Sequence, residues 1–358
     1  MQIHARVSNV AAGVELGPGS VITADEVSIA GGVRIGPNVQ ITCDRLILGA
    51  NAKIGANTTM LAPEIELGEG SSIGSNTSAE MNEYFRIGRF SVVGNNVAIA
   101  GQGMRAGEFL WLKDNVVVGG GGARGPRSYL LIGDHTSVFD GCYINLSETV
   151  TLGNGSALST DVCLLTHAAW QPSMMGYPTK FAPITIGDYV VVYLKSSVMP
   201  GVTIHDYSTV GACSLVTRDI PPHTLAAGVP AEIKGEPGSY PRPMTRDKKE
   251  RLAVDIIEDY LTTLPSKGLE VVSKEGRYVA RWNDSDVAID IVKRDELGIA
   301  FGDVYFNLDA ATVEGSLSPF AEDFRDYLRR RAIRIFTDKP FRTLPLKNLE
   351  RLQRMRAR

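Results

Sequence analysis

The sequence predicts a mainly β protein: a three-sided parallel coil over the first two thirds of the chain, then a small α+β domain. Three observations predict it. An aliphatic residue recurs every six positions, equivalent segments recur every 19 and later every 18 residues, and this rhythm ends near residue 236, where composition changes.

The repeat carries most of the inference. LGPGSVI, IGPNVQI, IGANTTM and IGSNTSA begin at Leu16, Ile35, Ile54 and Ile73, each 19 apart, and Val10, Ile29, Leu48 and Leu67 form a second such series. Later, Ile186 and Ile204, Val192 and Val210, and Val198 and Val216 are each 18 apart. A six-residue beat with Gly, Asn or Asp after each aliphatic reads as a short strand, its first residue inward, followed by a corner that tolerates positive φ. Stacked turns then hydrogen-bond at about 4.8 Å, so about ten turns make a rod roughly 50 Å tall. Small residues such as Ser20, Val39, Thr58 and Thr77 fit the narrow interior. Cys142, four places after Val138, reads as one more small buried group rather than a nucleophile. A sandwich or barrel is the alternative for alternating aliphatics, but neither needs a fixed period.

Two stretches break the beat. Residues 101–128 are glycine-rich and read as an interruption between N-terminal coils (1–100) and a second coil (129–236). The other stretch is LLTHAAWQPSMMGYPTKFAP. Leu152, Leu158 and Leu164 keep the rhythm, the next coil is due near residue 170, and the rhythm returns only at Ile186. About sixteen residues must loop out, beginning at His167, one of five histidines in the chain. A proline-rich linker (237–247) leads to residues 248–358. There Leu252, Ile256, Ile257 and Tyr260 have helical spacing, YVARW, VAIDIV and DVYFNLD read as strands, and residues 318–336 read as a helix with a Ser-Pro start.

Composition bounds the function. With 358 residues, a net charge of −3 and 22% charged residues, the chain is not a globally basic nucleic-acid binder. No run approaches 18 apolar residues, and the start lacks the order of a signal peptide, which suits a cytoplasmic protein. Four dispersed cysteines without a CxxC pair argue against a zinc site or disulfide framework. Residues 325–358 are rich in Lys and Arg, which reads first as a solvated helical face and second as a membrane-surface or phosphate contact.

The [LIV]-G-x-x-x-x hexads, followed by VGACSLVTRDIPPHTLAAGVPAEIKGE at 210–236, resemble the hexapeptide-repeat acyltransferases, in particular the galactoside, maltose, xenobiotic and sugar O- and N-acetyltransferases. The likeness is detailed over residues 130–236 and extends over 10–100 only as repeat. It implies a left-handed parallel β-helix, a hand that spacing does not give and that the usual crossover preference opposes. It also implies a homotrimer, acetyl-CoA as acyl donor in the groove between rods, no metal, and a sugar-type acceptor. His167 falls where the family places its general base. The chemistry asks for one, since an imidazole with pKa near 6.5 can take the acceptor's proton and pass it to the leaving thiol.

Further residues carry over from the same resemblance. Asn145, with Glu148 or its neighbour Ser147, matches acceptor contacts; in the loop itself, and from the residue types alone, Trp170 and Tyr177 read either as faces that stack on a sugar or as pins that hold the loop to the rod. Ala212, Thr217, Arg218 and Pro230 match positions along the CoA, as do Val191 and Leu194, although VVVYLKS departs from the family's V-W-I-G-A. The other histidines, His4, His135, His205 and His223, read as solvated surface. Two readings compete with an acyltransferase: a non-catalytic assembly scaffold, and a γ-type carbonic anhydrase, whose three-histidine pattern the sequence does not show.

Overall fold

The computed structural model describes residues 2–169, 171–274, 277–282, 285–293 and 295–347. It divides into two compact units, Met1–Arg242 and Pro243–Arg358.

The first unit is a β-solenoid. One wall is a twelve-stranded sheet from Glu15–Leu16 to Glu232–Ile233, parallel throughout except its last pair. The other two walls belong to one 17-stranded parallel sheet. Register follows the sequence period: Leu16 pairs with Ile35, Ile35 with Ile54, and Val192 with Val210. The inward aliphatics form a continuous core, with Ile29, Leu48, Leu67, Val138 and Val192 all at or below 2% exposure. Ser20, Thr58 and Thr77 are buried among them, their hydroxyls satisfied by the carbonyls of Gly36, Gly74 and Gly94.

The corners explain the residues that follow each aliphatic. At one corner Asn38, Asn57, Asn76, Asn96 and Asn115 all have φ near +55°, and each Asn amide donates to the next one along the rod. Asparagine suits the left-handed conformation because its short side chain bonds locally. At a second corner Tyr189, Tyr207 and His223 take the same conformation and stack, with ring centroids 5.1 and 4.9 Å apart. Just before it, Asp206 accepts from the backbone N–H of Asp188, and Asp188 from that of Asn154, which is what the Asp of an I-G-D hexad does.

The third corner differs. In the early coils the chain passes it inside one continuous strand, as in Val21–Ile29, Ser78–Ile87 and Ala98–Ala106. Both departures from the rod leave here. The stretch 101–128 is mostly coil rather than interruption: it contains the end of Ala98–Ala106, then Trp111–Leu112 and Val117–Gly119, all paired in register with their neighbours. Only residues 120–128 leave the stack, and the strand Ala98–Ala106 pairs with both Val117–Gly119 before them and Tyr129–Ile132 after them. Glycine density misled the reading because glycine at a tight corner looks like glycine in a linker. The second departure lies between Cys163–Leu164 and Ile184–Ile186, which pair with successive strands of the coil below.

The second unit packs helices Arg246–Thr263 and Pro319–Arg330 with a six-stranded antiparallel sheet running from Glu270 to Glu314. Thr245 and Ser318 cap the two helices, accepting from the N–H of Lys248 and Ala321. Tyr260, Phe301, Phe306, Phe320 and Phe324 form the aromatic core. Leu252 is exposed, and Ala253, Ile256, Ile257 and Tyr260 make the buried face. The described part of the basic segment is a solvated face only in part: Arg330, Arg331, Lys339, Arg342 and Lys347 are exposed, and Arg325 is not. Arg325 is fully buried, donating to Glu322 and to the carbonyls of Ile335, Lys339 and Pro340, with its guanidinium 4.3 Å from the Phe341 ring centroid. Arg329 and Arg330 both bond Asp326, whose carboxyl stays below its usual range despite burial because Thr343 and these guanidiniums hydrogen-bond it. Residues 348–358 of that basic run lie outside the described residues.

Candidate active site

Three consecutive passes of the third corner converge on His167. Strand register sets them: Val118 pairs with Ile144, and Ile144 with Leu164. The glycine loop 120–128, the corner 145–148 and the loop that starts at 165 therefore lie one above another.

The imidazole is held by its Nδ1. Asn145 Oδ1 and Ser147 Oγ each lie 2.8 Å from it. The orientation of the Asn145 amide is fixed by its other bonds. Its Nδ2 donates to the carbonyls of Gly119 and Gly121, while its Oδ1 accepts from the Ser147 N–H and the Thr166 hydroxyl. Ser147 has one hydroxyl proton, and that proton goes to the Gly121 carbonyl. Both groups facing Nδ1 therefore offer lone pairs, so Nδ1 carries the hydrogen and Nε2 the lone pair. Among the described residues Nε2 takes no hydrogen bond. Phe181 stacks on the ring face with centroids 5.5 Å apart, and it pairs across strands with His167 at the base of the loop.

Asn145 is fully buried with its amide spent on this network, so it positions the histidine and does not face an acceptor. Glu148 is also buried, and both its oxygens accept from Arg127 at 2.6 Å. Arg127's hydrogen bond holds the Glu148 carboxyl below the usual carboxylate range, and the pair ties the far end of the glycine loop to the next coil. The expectation of acceptor contacts at Asn145 and Glu148 is thus corrected: burial and saturation give both a supporting role. Ser147, the alternative to Glu148, touches the imidazole instead. No sequence signal points to Arg127 or to the loop's return to this corner, since both depend on a stacking of coils 20 or more residues apart.

The remaining candidates are spread along the rod. Tyr177 and Met174 are exposed in the His167 loop, at 43% and 98%. Trp170 lies outside the described residues. Thr217 and Arg218 are exposed just after the strand Leu215–Val216, on the same corner as His167 and two coils further on. Leu194 and Ala212 are exposed at the asparagine-ladder corner, where the Cys213 N–H bonds the Leu194 carbonyl. Val191 is on the twelve-stranded wall, and Pro230 follows the strand Leu225–Ala227. One face of the rod, roughly 20 Å for six extended residues, separates the two corners.

Cys142 is buried, its thiol pushed up to about 12 by desolvation, and it donates to the Ser159 carbonyl. His135 is half-buried with its ring 5.5 Å from that of Phe109, and His223 stacks on Tyr207, so neither is simply solvated. Among the described residues no group of three His, Cys, Asp or Glu side chains is placed to hold a metal ion, and no helix is long and apolar enough to cross a membrane. A shallow groove of about 570 Å³ runs along the N-terminal coils past Arg34, Lys53, Trp111 and Lys113, on the twelve-stranded wall rather than at the histidine corner.

The chain is 33% identical over 124 residues to the galactoside O-acetyltransferase of Escherichia coli, covering 30% of the chain and 57% of that protein. It is 40% identical over 85 residues to a Schizosaccharomyces pombe protein named as an acetyltransferase, covering 23% and 41%. Over these stretches the chain is similar to curated acetyltransferases. It spans only about half the length of the curated relatives it matches. No protein-family model matches it. Among solved structures, it is similar to the UDP-N-acetylglucosamine acyltransferase of Arabidopsis, at 15% identity and a TM-score of 0.40 over 72% of this chain and 87% of that one. It is also similar to a hexapeptide-repeat acetyltransferase from Vibrio cholerae, at 22% identity and a TM-score of 0.27 over 40% and 72%.

Proposed function

We propose that the chain transfers an acetyl group from acetyl-CoA directly to a hydroxyl or amine of a sugar, sugar nucleotide or glycan precursor, with His167 as general base. One observation carries the reading: Nδ1 of His167 is bound by two acceptors, which leaves the Nε2 lone pair without a hydrogen bond among the described residues, at the corner where both loops emerge. In the step, Nε2 takes the acceptor's proton as its oxygen or nitrogen attacks the thioester carbonyl. As the intermediate collapses, the C–S bond breaks and the imidazolium returns that proton to the thiolate. The positive charge that develops on the ring is stabilised by the Nδ1–H bonds to Asn145 and Ser147.

A homotrimer fits the spread of the remaining candidates. Thr217 and Arg218 share the corner of His167, whereas Leu194 and Ala212 occupy another, so one donor molecule meets both sets only where the corner of one copy faces the other corner of a second. The sugar-type acceptor is suggested by the similarity to the galactoside O-acetyltransferase of Escherichia coli. The test is thiol release from acetyl-CoA with a panel of sugars and nucleotide sugars. His167→Ala should lower kcat by about 10²–10⁴-fold with the fold intact. A His167→Ala protein that transfers acetyl at the parent rate would end the proposal.

A further inference from the structure

The glycine loop beside His167 contains one glycine that the fold does not require. Gly119, Gly120 and Gly122 have φ of +129°, +85° and +82°, where a side chain is strained. A Cβ at Gly120 would also lie 2.2 Å from the Tyr143 hydroxyl, and one at Gly122 would lie 2.7 Å from Ser147 Oγ. These positions are glycine for structural reasons. Gly121 is different. Its φ lies outside the left-handed region, and among the described residues beyond its chain neighbours a Cβ built there meets two atoms within 4 Å: His167 Cε1 at 3.8 Å and His167 Nε2 at 4.0 Å. Both are ordinary contact distances, so backbone and packing would accept a side chain at 121, and that side chain would point at the base.

We propose that Gly121 keeps the Nε2 edge of His167 open and so sets how bulky an acceptor the base can serve. The inference rests on His167 acting as the base. A nucleophile that gives its proton to Nε2 must come within about 2.6–3.2 Å of it. A side chain longer than Ala at position 121 extends from a Cβ already 4.0 Å from Nε2 and competes with that approach. The other sides of the ring are already committed: Nδ1 to Asn145 and Ser147, and one face to Phe181. The open edge over Gly121 therefore admits a hydroxyl or amine set on a bulky frame, such as a ring hydroxyl of a sugar. The loop is held still for this role, because its carbonyls at Gly119 and Gly121 accept from Asn145 and Ser147 and its far end is clamped by the Arg127–Glu148 pair.

The test uses the full chain with Gly121→Ala, Gly121→Val and Gly121→Leu. The first readout does not depend on knowing the acceptor: the rate at which diethyl pyrocarbonate modifies His167, followed by peptide mass spectrometry, with His4 and His205 as internal standards. The rate should fall in the order Gly, Ala, Val, Leu, by about tenfold or more at Val, equivalent to about 1.4 kcal/mol. Equal rates from Gly to Leu would overturn the inference. The second readout is acetyl transfer to methyl β-galactoside and to UDP-N-acetylglucosamine, where kcat/KM for the acceptor should fall in the same order. The two readings fail separately. Transfer by His167→Ala sinks the base, while the reagent series still judges Gly121; a dead His167→Ala with a flat series sinks Gly121 alone. The thermal midpoint of Gly121→Ala should match that of the parent, since the backbone there tolerates Cβ.

Discussion

Asn145 Oδ1 lies 2.8 Å from Nδ1 of His167, and the same amide reaches back to the carbonyls of Gly119 and Gly121. One buried side chain thus fixes both the tautomer of the base and the loop beside it. An Asn145→Asp change keeps the size but sets a carboxylate against the imidazole and against two carbonyls. A carboxylate favours the imidazolium, so the acid limb of the pH–rate profile should move to higher pH by about one unit. The carbonyl repulsion should also lower the thermal midpoint. An unchanged profile would show that Asn145 does not act on the ring.

Ser147 shares that task with less leverage. Ser147→Ala leaves Asn145 to hold Nδ1 and removes one of the two donors to the Gly121 carbonyl, which keeps its bond from Asn145 Nδ2. A lost hydrogen bond of this kind costs about 0.5–1.5 kcal/mol. We expect kcat to fall several-fold, with KM for acetyl-CoA little changed. Steady-state kinetics on both substrates would check this split.

The Arg127–Glu148 clamp makes the glycine loop sensitive to acid. The Glu148 carboxyl is depressed in the folded protein by its hydrogen bond to Arg127, so the pair's contribution is fully present above the ordinary carboxylate range. It is lost as pH falls through the depressed native value. Amide exchange in residues 119–128 should therefore quicken on the acid side of that range relative to the rest of the rod. Glu148→Gln should quicken it at neutral pH and remove the pH dependence.

In the second unit, Arg325 is fully buried and spends its guanidinium on Glu322 and three carbonyls. Arg325→Ala leaves an unpaired buried carboxylate and unsatisfied carbonyls, which should cost about 3–5 kcal/mol. Chemical denaturation of the full chain, followed through a probe in residues 243–347, would show the loss there and leave the solenoid's transition in place.

Much of the solenoid was legible because its physics is local in sequence. The 18- and 19-residue spacings give the register directly, and inward Ile35, Ile54 and Ile73 are 3% exposed as the pattern implies. The location of His167 was legible for a related reason: a broken period marks a departure from the rod. What sequence could not give was the meeting of three corners. Asn145 sits 22 residues from His167 and Arg127 sits 21 from Glu148, and only coil stacking brings them together. The strands Glu270–Lys274, Leu297–Phe301 and Thr312–Glu314 went unread because an irregular antiparallel sheet has no period to betray it.

Both excursions depart from the bend that the early coils pass inside one continuous strand. Ladders of Asn, Tyr and His lock the other two bends, where any insertion would break a column of identical contacts. The permissive bend works instead like a terminal block on a rail, where modules of different length can be fitted while the rail keeps its gauge. Chemistry on such a scaffold can be rewritten one excursion at a time, without refolding the stack that carries it.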